Sequence, residues 1–244
     1  MNLTSLLMLA DSRLPAGTHA HSGGLEAAVA AERVGDAAEL YEFLLGRLTT
    51  TGLTGAAFCA AALRAASDRD DAGPADLAHF AELADFDYVA DLSELDAEYE
   101  ARTPSPAQRR ASRALGRQLL RAVRAGWPGP ALVAASAVHP DGPHQPIAFG
   151  AAGAAAGISP HDAALAAALG SITGPANAAT RLLGIDPDAV TAVLAALEPY
   201  VQDTADAAMK AALGPYSELP SSSALRLDIS AEHHSTWEVR LFAS

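Results

Sequence analysis

Alanine accounts for 59 of the 244 residues, and this abundance restricts the folds that the chain can adopt. Alanine has the highest intrinsic helix propensity, and its small side chain allows helices to pack closely. Aromatic residues, which are enriched in strands together with β-branched ones, make up only 5% of the chain. The composition therefore predicts an all-α protein rather than a β-sandwich.

Local sequence signals predict where several helices begin. Asp36 precedes a pattern of apolar residues with helical spacing, and Ser159-Pro160 and Asp186-Pro187 each place a capping side chain directly before proline. Thr103-Pro104 predicts a further helix start. The segment that begins with Leu219-Pro220 predicts a flexible connection after the last of these helices. We therefore predict a single-domain multi-helix bundle over residues 1–218 and a flexible C-terminal tail over residues 219–244.

The charge balance excludes several classes of partner. The chain has 16 basic and 29 acidic residues, for a net charge of −13, whereas sequence-independent binding of nucleic acid needs a basic surface. No apolar run is long enough to span a bilayer, and the first residues lack the pattern of a signal peptide. We therefore expect a cytoplasmic protein that binds neither nucleic acid nor membrane.

Charges of opposite sign occupy two adjacent segments. Eight acidic residues and no basic one lie between Glu82 and Glu100, within an acidic helical segment predicted from about Pro74 to Tyr99. Six arginines and no acidic residue lie between Arg109 and Arg124. Five of these arginines form a stripe at helical spacing, namely Arg109, Arg113, Arg117, Arg121 and Arg124. The two helices are either neighbours that neutralise each other, or the arginine stripe faces an acidic partner protein or, least favourably, nucleic acid.

Candidate catalytic and metal-binding residues are few. His19 and His21 form an H-x-H pair in a glycine-rich turn, and imidazole suits nickel, zinc or copper, but two ligands do not make a site. The histidines that stand singly, including His144, are interpreted as surface or capping residues. Cys59 lies in an apolar helical run and is interpreted as a buried side chain. The acidic residues are interpreted as a solvated face.

The sequence also lacks the motifs of common nucleophile elbows and phosphate-binding loops. This pattern favours a binding protein over an enzyme. Two alternatives remain, which are a helical metal-dependent enzyme that uses His19, His21 and the acidic cluster, and a helical interaction module of unrelated function.

Three sequence blocks together are similar to a known family. The first runs from Leu6-Leu7-Met8-Leu9-Ala10-Asp11-Ser12-Arg13-Leu14-Pro15-Ala16-Gly17 to His21-Ser22-Gly23-Gly24-Leu25-Glu26. The second contains Ala101-Arg102-Thr103, Arg110-Ala111-Ser112-Arg113 and Gly116-Arg117, and the third contains Leu227-Asp228-Ile229, His234 and Arg240-Leu241-Phe242-Ala243-Ser244. In order and spacing the chain resembles the urease accessory protein UreF family over nearly its whole length. It departs from the usual pattern in the turn at Thr18-His19-Ala20, where members usually have aromatic residues, and in the segment around Asp186, which lacks the usual Gln. It also departs at Ser235 and Ala243, where members usually have Glu and Arg.

The resemblance implies an all-helical homodimer without catalytic activity that helps to insert nickel into urease. It implies three partners: a UreD-like (also called UreH-like) accessory protein, the UreG-like GTPase whose activity it regulates, and apo-urease. No cofactor is expected to be bound permanently, because nickel only passes through the assembled complex. His19 and His21 are the candidates for transient nickel contacts.

The resemblance also implies a partner-binding surface built from three parts. The N-terminal part consists of Leu14, Pro15, Gly17, Ser22, Gly23, Leu25 and Glu26. The middle part consists of Arg102, Thr103, Arg110 and Arg113, and its three arginines are expected either to hold the centre of the bundle or to face a partner. The C-terminal part consists of Asp228, His234, Arg240, Leu241, Phe242 and Ser244. The apolar tail is predicted to dock either on its own domain or on a partner.

Overall fold

A computed structural model describes residues 2–11, 13–67, 86–222 and 224–243. These residues form helices and connecting turns without strands, which confirms the all-α prediction. The helices are α1 (Leu3–Ala10), α2 (Leu25–Ala30), α3 (Ala37–Arg47), α4 (Leu53–Ser67), α5 (Phe86–Ala101), α6 (Pro106–Val123), α7 (Pro130–Ala137), α8 (Gln145–Ala155), α9 (Pro160–Leu182), α10 (Pro187–Ala211) and α11 (Leu225–Ser235). A π-helical turn (Leu48–Gly52) joins α3 to α4, and 3-10 turns occupy Thr18–Ala20 and Tyr216–Glu218. Within these ranges, no helix is both long and apolar enough to cross a bilayer.

Helix α4 lies at the centre of the bundle and packs against α5, α8, α9 and α10. Its residues from Ala56 to Ala62 are almost completely buried. A Cβ atom added to Gly150 of α8 would lie 2.5 Å from the carbonyl oxygen of Cys59 and 2.7 Å from the Cβ of Ala62. The two helices therefore approach so closely that only small side chains fit between them. This close approach is the structural use of the abundant alanine.

Most of the predicted helix starts are confirmed. The side chains of Asp36, Ser159 and Asp186 each accept a hydrogen bond from a backbone N–H in the first turn of the following helix. The predicted start at Thr103-Pro104 is wrong. The Thr103 hydroxyl donates to the carbonyl of Tyr99 at the end of α5, and Ser105 caps α6 instead. The chain repeats a hydroxyl–proline pair at this point, and only the second pair begins a helix.

Two further predictions concern segments at the edge of the described residues. Helix α5 corresponds to the second half of the predicted acidic helix, whose residues 74–85 lie outside the described residues. Helix α11 lies inside the predicted C-terminal tail and packs against α2 and α6. Of the two options for the tail, the structure therefore has it docked on its own domain. The domain boundary at residue 219 stays a prediction.

Candidate functional site

The buried carboxylate of Glu26 binds the C-terminal segment to the first turn of α2. Its Oε1 atom accepts a hydrogen bond from the backbone N–H of Leu241 at 2.8 Å, and its Oε2 atom accepts one from Phe242 at 3.1 Å. The Nε2 atom of His234, in the last turn of α11, lies 2.8 Å from Oε2. Hydrogen bonds to a carboxylate are stronger than those to a neutral acceptor. One side chain therefore holds the helix and the segment after it.

The turn before α2 has a shape that requires glycine. Gly17, Gly23 and Gly24 have φ values of 81°, 60° and 91°, which side chains larger than hydrogen rarely adopt. A Cβ atom on Gly17 would overlap the Gln118 side chain of α6, and one on Gly24 would lie 3.0 Å from Leu227 of α11. The turn therefore packs against α6 and α11, the helices that contain the second and third sequence blocks.

Helix α11 is also attached to the start of α6. The Glu232 carboxylate accepts hydrogen bonds from the Ser105 hydroxyl and, at 2.7 Å, from the backbone N–H of Ala107. These bonds lower the pKa of Glu232 below its usual range. Arg102 donates to the backbone carbonyls of Ser217 and Leu219, in the segment that leads to α11. The three sequence blocks therefore meet in one region, which we call the convergent face.

The predicted partner-binding residues divide by exposure. The buried ones are Ser22, Leu25, Glu26, Thr103, Arg113, Asp228, His234 and Phe242. The half-buried ones are Leu14, Gly17, Gly23 and Arg102, and the exposed ones are Pro15, Arg110, Arg240 and Leu241. Ser244 lies outside the described residues. The buried residues other than Arg113, which lies in the network described below, support the convergent face, and only the exposed ones lie at its surface; that they bind a partner stays a prediction.

Large apolar side chains are exposed on the convergent face. Leu225 and Ile229 are one turn apart on α11 and are 69% and 62% exposed. Val239 and Leu241, in the segment that Glu26 holds, are 85% and 73% exposed. Isolated exposed apolar residues are common, but several in one short segment are typical of a protein interaction site. The sequence places Leu225, Ile229 and Val239 in the apolar tail, but it does not show that these three side chains, which are not among the predicted partner-binding residues, are exposed.

A cavity of about 630 Å³ lies beneath this region. Residues of the N-terminal turn, α9 and α11 line it, including His21, Gly174, Leu227 and Asp228. Burial raises the pKa of Asp228, whose Oδ2 atom has no hydrogen-bond partner among the described residues. The cavity is therefore bordered by a carboxyl group, that of Asp228, with one oxygen that has no hydrogen-bond partner among the described residues.

The histidine pair is not part of a preformed metal site in the described residues. His19 is exposed, whereas His21 is half-buried. Burial, with a smaller contribution from neighbouring His19, lowers the pKa of His21 and so favours its neutral, metal-binding form. Neither residue belongs to a group of three or more metal-ligating side chains in the part of the chain that the structure describes. Transient nickel contact at this pair stays a prediction.

A different group of potential ligands lies between α5, α6 and α8. Ligand atoms of Asp96, Glu100 and His144 lie within 4.8 Å of one another. The guanidinium of Arg113 already binds both carboxylates, with Nη1 at 2.9 Å from Asp96 Oδ2 and Nη2 against Glu100. His144 Nε2 lies 3.3 Å from Glu100, and its backbone N–H donates to Asp96 at 2.7 Å. We interpret the group as a buried ion-pair network, since its carboxylates already have a cationic partner.

This network corrects two predictions. His144, predicted to be a surface or capping residue, occupies the N-cap position of α8, but its side chain is fully buried and forms no cap hydrogen bond. Burial lowers its pKa. The predicted solvated acidic face is wrong for Asp96, which is buried. Arg113 chiefly, with His144, lowers the pKa of Glu100. The spacing of Asp96 and Glu100, one helical turn apart, was the signal in the sequence that could have indicated the network.

The arginine stripe divides into two halves. Arg113 is buried in the network, and Arg109 lies 3.9 Å from Glu100, so the acidic and basic helices are indeed neighbours there. Arg117, Arg121 and Arg124 are exposed, and none of them forms an ion pair with a described residue. Neutralisation by α5 therefore explains only the N-terminal half of the stripe.

Comparison with known proteins indicates the same family as the three sequence blocks. A family model described as UreF matches residues 34–198. Proteins named urease accessory protein UreF are 40% identical in Mycobacterium sp. (strain JLS), over 99% of both chains, and 42% identical in Mycolicibacterium vanbaalenii, over 100% of this chain and 99% of the relative. The protein of that name in Mycobacterium tuberculosis (strain H37Rv) is 38% identical over 85% of each chain.

Proposed function

The chain belongs to the UreF family of urease accessory proteins, and on that basis we propose that it helps to assemble the nickel centre of urease. The observation that supports this most directly is the convergent face. Three sequence blocks that lie as far apart as Glu26 and Phe242 form one surface with exposed apolar side chains. A surface of this kind suits protein binding, because covering it removes apolar area from water.

We assign the convergent face to the UreD-like (UreH-like) accessory protein. The UreG-like GTPase and apo-urease join the same assembly in the cytoplasm, and a second copy of this chain completes a homodimer. Nickel is the cargo of this assembly and not a resident cofactor of this chain. Nothing in this role requires a catalytic residue, and the chain acts by binding and positioning other proteins.

The chemistry of the side chains restricts how this chain could touch nickel. Cys59 is fully buried, and burial raises the pKa of its thiol, which disfavours the thiolate form that binds metals. Imidazole and carboxylate groups are the remaining ligands. We propose His19 and His21 as the transient contacts, since they lie in the turn that adjoins the convergent face.

Point variants test the assigned face better than a truncation. Deletion of residues 240–244 is expected to abolish capture of the UreD-like protein, but it also removes buried Phe242 and two hydrogen bonds to Glu26. The double variant Ile229→Ser/Leu241→Ser changes only exposed side chains and leaves these contacts in place. Leu213→Ser, two residues after the end of α10, is a matched control because Leu213 is 62% exposed, as Ile229 is.

The measurements are co-purification with the UreD-like protein, and urease activity and nickel content in cells that lack the native gene. The double variant is expected to lose co-purification and to leave urease without nickel, whereas the control behaves as the wild type. Full urease activity in cells that carry the double variant would show that the convergent face is not the interface with the UreD-like protein. Normal urease activity in cells without the gene would overturn the proposed function itself.

A further inference from the structure

The C-terminal half of α6 borders a basic groove that the proposed function does not use. Arg117 and Arg121 lie one turn apart on α6 and Arg124 is its C-cap residue, and the facing wall is formed by Ser136, His139, Pro140, Gly142 and Pro143. The groove encloses about 580 Å³. The three arginines are exposed, so their guanidinium groups are accessible to a partner.

These arginines bind only neutral acceptors within the described residues. Arg117 donates to the backbone carbonyl of Asp141, and Arg124 donates to the Ser136 hydroxyl at 2.9 Å. Arg121 has no hydrogen bond or ion pair with any residue in the described ranges. By contrast, Arg113 on the same helix binds two carboxylates. The charge of the groove is therefore not neutralised by the part of the chain that the structure describes.

Three cations lie close together in this groove, although the chain as a whole has a net charge of −13. Residues seven apart on a helix are separated by about 10.5 Å along its axis, so the three charges repel one another. An anionic partner would relieve this repulsion, and guanidinium groups match carboxylates particularly well because they can donate two parallel hydrogen bonds.

We propose that this groove binds an acidic segment of a partner protein, with carboxylates spaced about one helical turn apart. The spacing follows from the arginines, since residues four apart on a helix rise by about 6 Å. A short acidic segment meets only the local positive charge, whereas a long nucleic acid would also meet the acidic remainder of the chain. The groove goes beyond the proposed function because its three arginines are not among the residues of the convergent face.

The test uses the full chain and two labelled helical peptides. One peptide, based on alanine, has glutamates at positions i, i+4 and i+7, and the other has glutamines at those positions. The groove variant is Arg117→Gln/Arg121→Gln/Arg124→Gln. The control variant, Arg33→Gln/Arg181→Gln/Arg226→Gln, removes three exposed arginines outside the groove and therefore has the same net charge.

Fluorescence anisotropy at low ionic strength is expected to show binding of the glutamate peptide to the wild type and to the control variant. The groove variant is expected to bind it about tenfold more weakly or worse, since each exposed ion pair contributes modestly. Equal binding of the glutamine peptide, or equal binding by the groove variant, would overturn the proposal. Tighter binding of a 20-nucleotide single-stranded DNA than of the glutamate peptide would also overturn it, and would make the groove a nucleic-acid site.

None of these outcomes depends on urease. If the groove does not bind the peptide, the proposed role in nickel assembly is not affected. If that role is overturned, the expected peptide binding is unchanged. Circular dichroism of the groove variant is expected to match the wild type, because the three side chains are exposed.

Discussion

In the N-terminal half of α6, Arg113 is buried and binds Asp96 and Glu100, whereas in the C-terminal half Arg121 is exposed and binds no described residue. Both belong to one stripe of arginines with the same helical spacing. What differs is the element that lies opposite, which is acidic α5 in one half and the 136–143 segment in the other. The charge of a helix face therefore does not say whether it stabilises the fold or binds a partner until its neighbour is known.

The largest expected effect comes from breaking the buried half. Arg113→Ala leaves Asp96 buried without its cationic partner and is expected to lower the free energy of unfolding by about 3–5 kcal/mol. Urea denaturation measures this loss. Arg121→Ala is the matched control on the same helix, and its loss is expected to stay within about 0.5 kcal/mol. Similar losses for both variants would mean that the two halves do not differ as described.

A second buried charge extends the comparison to the convergent face. Glu26→Ala removes the acceptor for His234 and for the backbone N–H groups of Leu241 and Phe242. We expect a loss of about 2 kcal/mol and faster hydrogen exchange at those two amides. Glu238→Ala changes an exposed carboxylate in the same tail and is expected to have little effect. Unchanged exchange at Leu241 and Phe242 would show that Glu26 does not hold the segment.

The pH dependence of stability tests whether the network is buried as described. Burial lowers the pKa of His144 in the folded chain, so below the ordinary histidine pKa of about 6.5 the unfolded chain takes up a proton first. The free energy of unfolding is therefore not reduced by His144 above that pH. Below it, the free energy of unfolding falls as the pH decreases, by at most about 1.4 kcal/mol per pH unit. The lowered pKa of Glu100 keeps that carboxyl ionised between pH 7 and 5.

Denaturation of His144→Gln over pH 7 to 5 is expected to show a shallower decrease than the wild type. An unchanged slope in His144→Gln would contradict the assignment of the pH dependence to the network.

The smallest effect is expected in the exposed half. Added salt screens the repulsion among Arg117, Arg121 and Arg124. The free energy of unfolding of the wild type should therefore rise by a few tenths of a kcal/mol relative to that of Arg121→Ala. Thermal unfolding at low and high ionic strength measures this difference. If added salt instead lowered the stability of the wild type relative to Arg121→Ala, this would indicate that Arg121 has a carboxylate partner.

Local chemistry was enough to predict much of the fold. The caps at Asp36, Ser159 and Asp186 were found because a capping side chain and its target lie within one turn of each other. The start of α6 was misplaced because Thr103-Pro104 and Ser105-Pro106 look alike locally. What distinguishes them is a contact that the pattern does not encode: Glu232, far along the chain, binds Ser105 and Ala107.

The candidate site was predictable only in part, for the same reason. The family resemblance located the three blocks, but it did not indicate which residues are buried or that Glu26 binds the tail. His144 was misread because its partners, Asp96 and Glu100, lie more than 40 residues away in the sequence. Interactions of such long range depend on the packing of α5, α6 and α8, which helical periodicity does not determine.

The attachment of the tail to Glu26 also affects when the convergent face becomes available. Glu26 and Phe242 are 216 residues apart in the sequence, so nearly the whole chain must be synthesised before they can meet. Chains emerge from the ribosome at about 5–20 residues per second, and the bundle can begin to fold during that time. The convergent face is then complete only after Phe242 has been synthesised, so a partner that recognises it binds only chains whose synthesis has passed that residue.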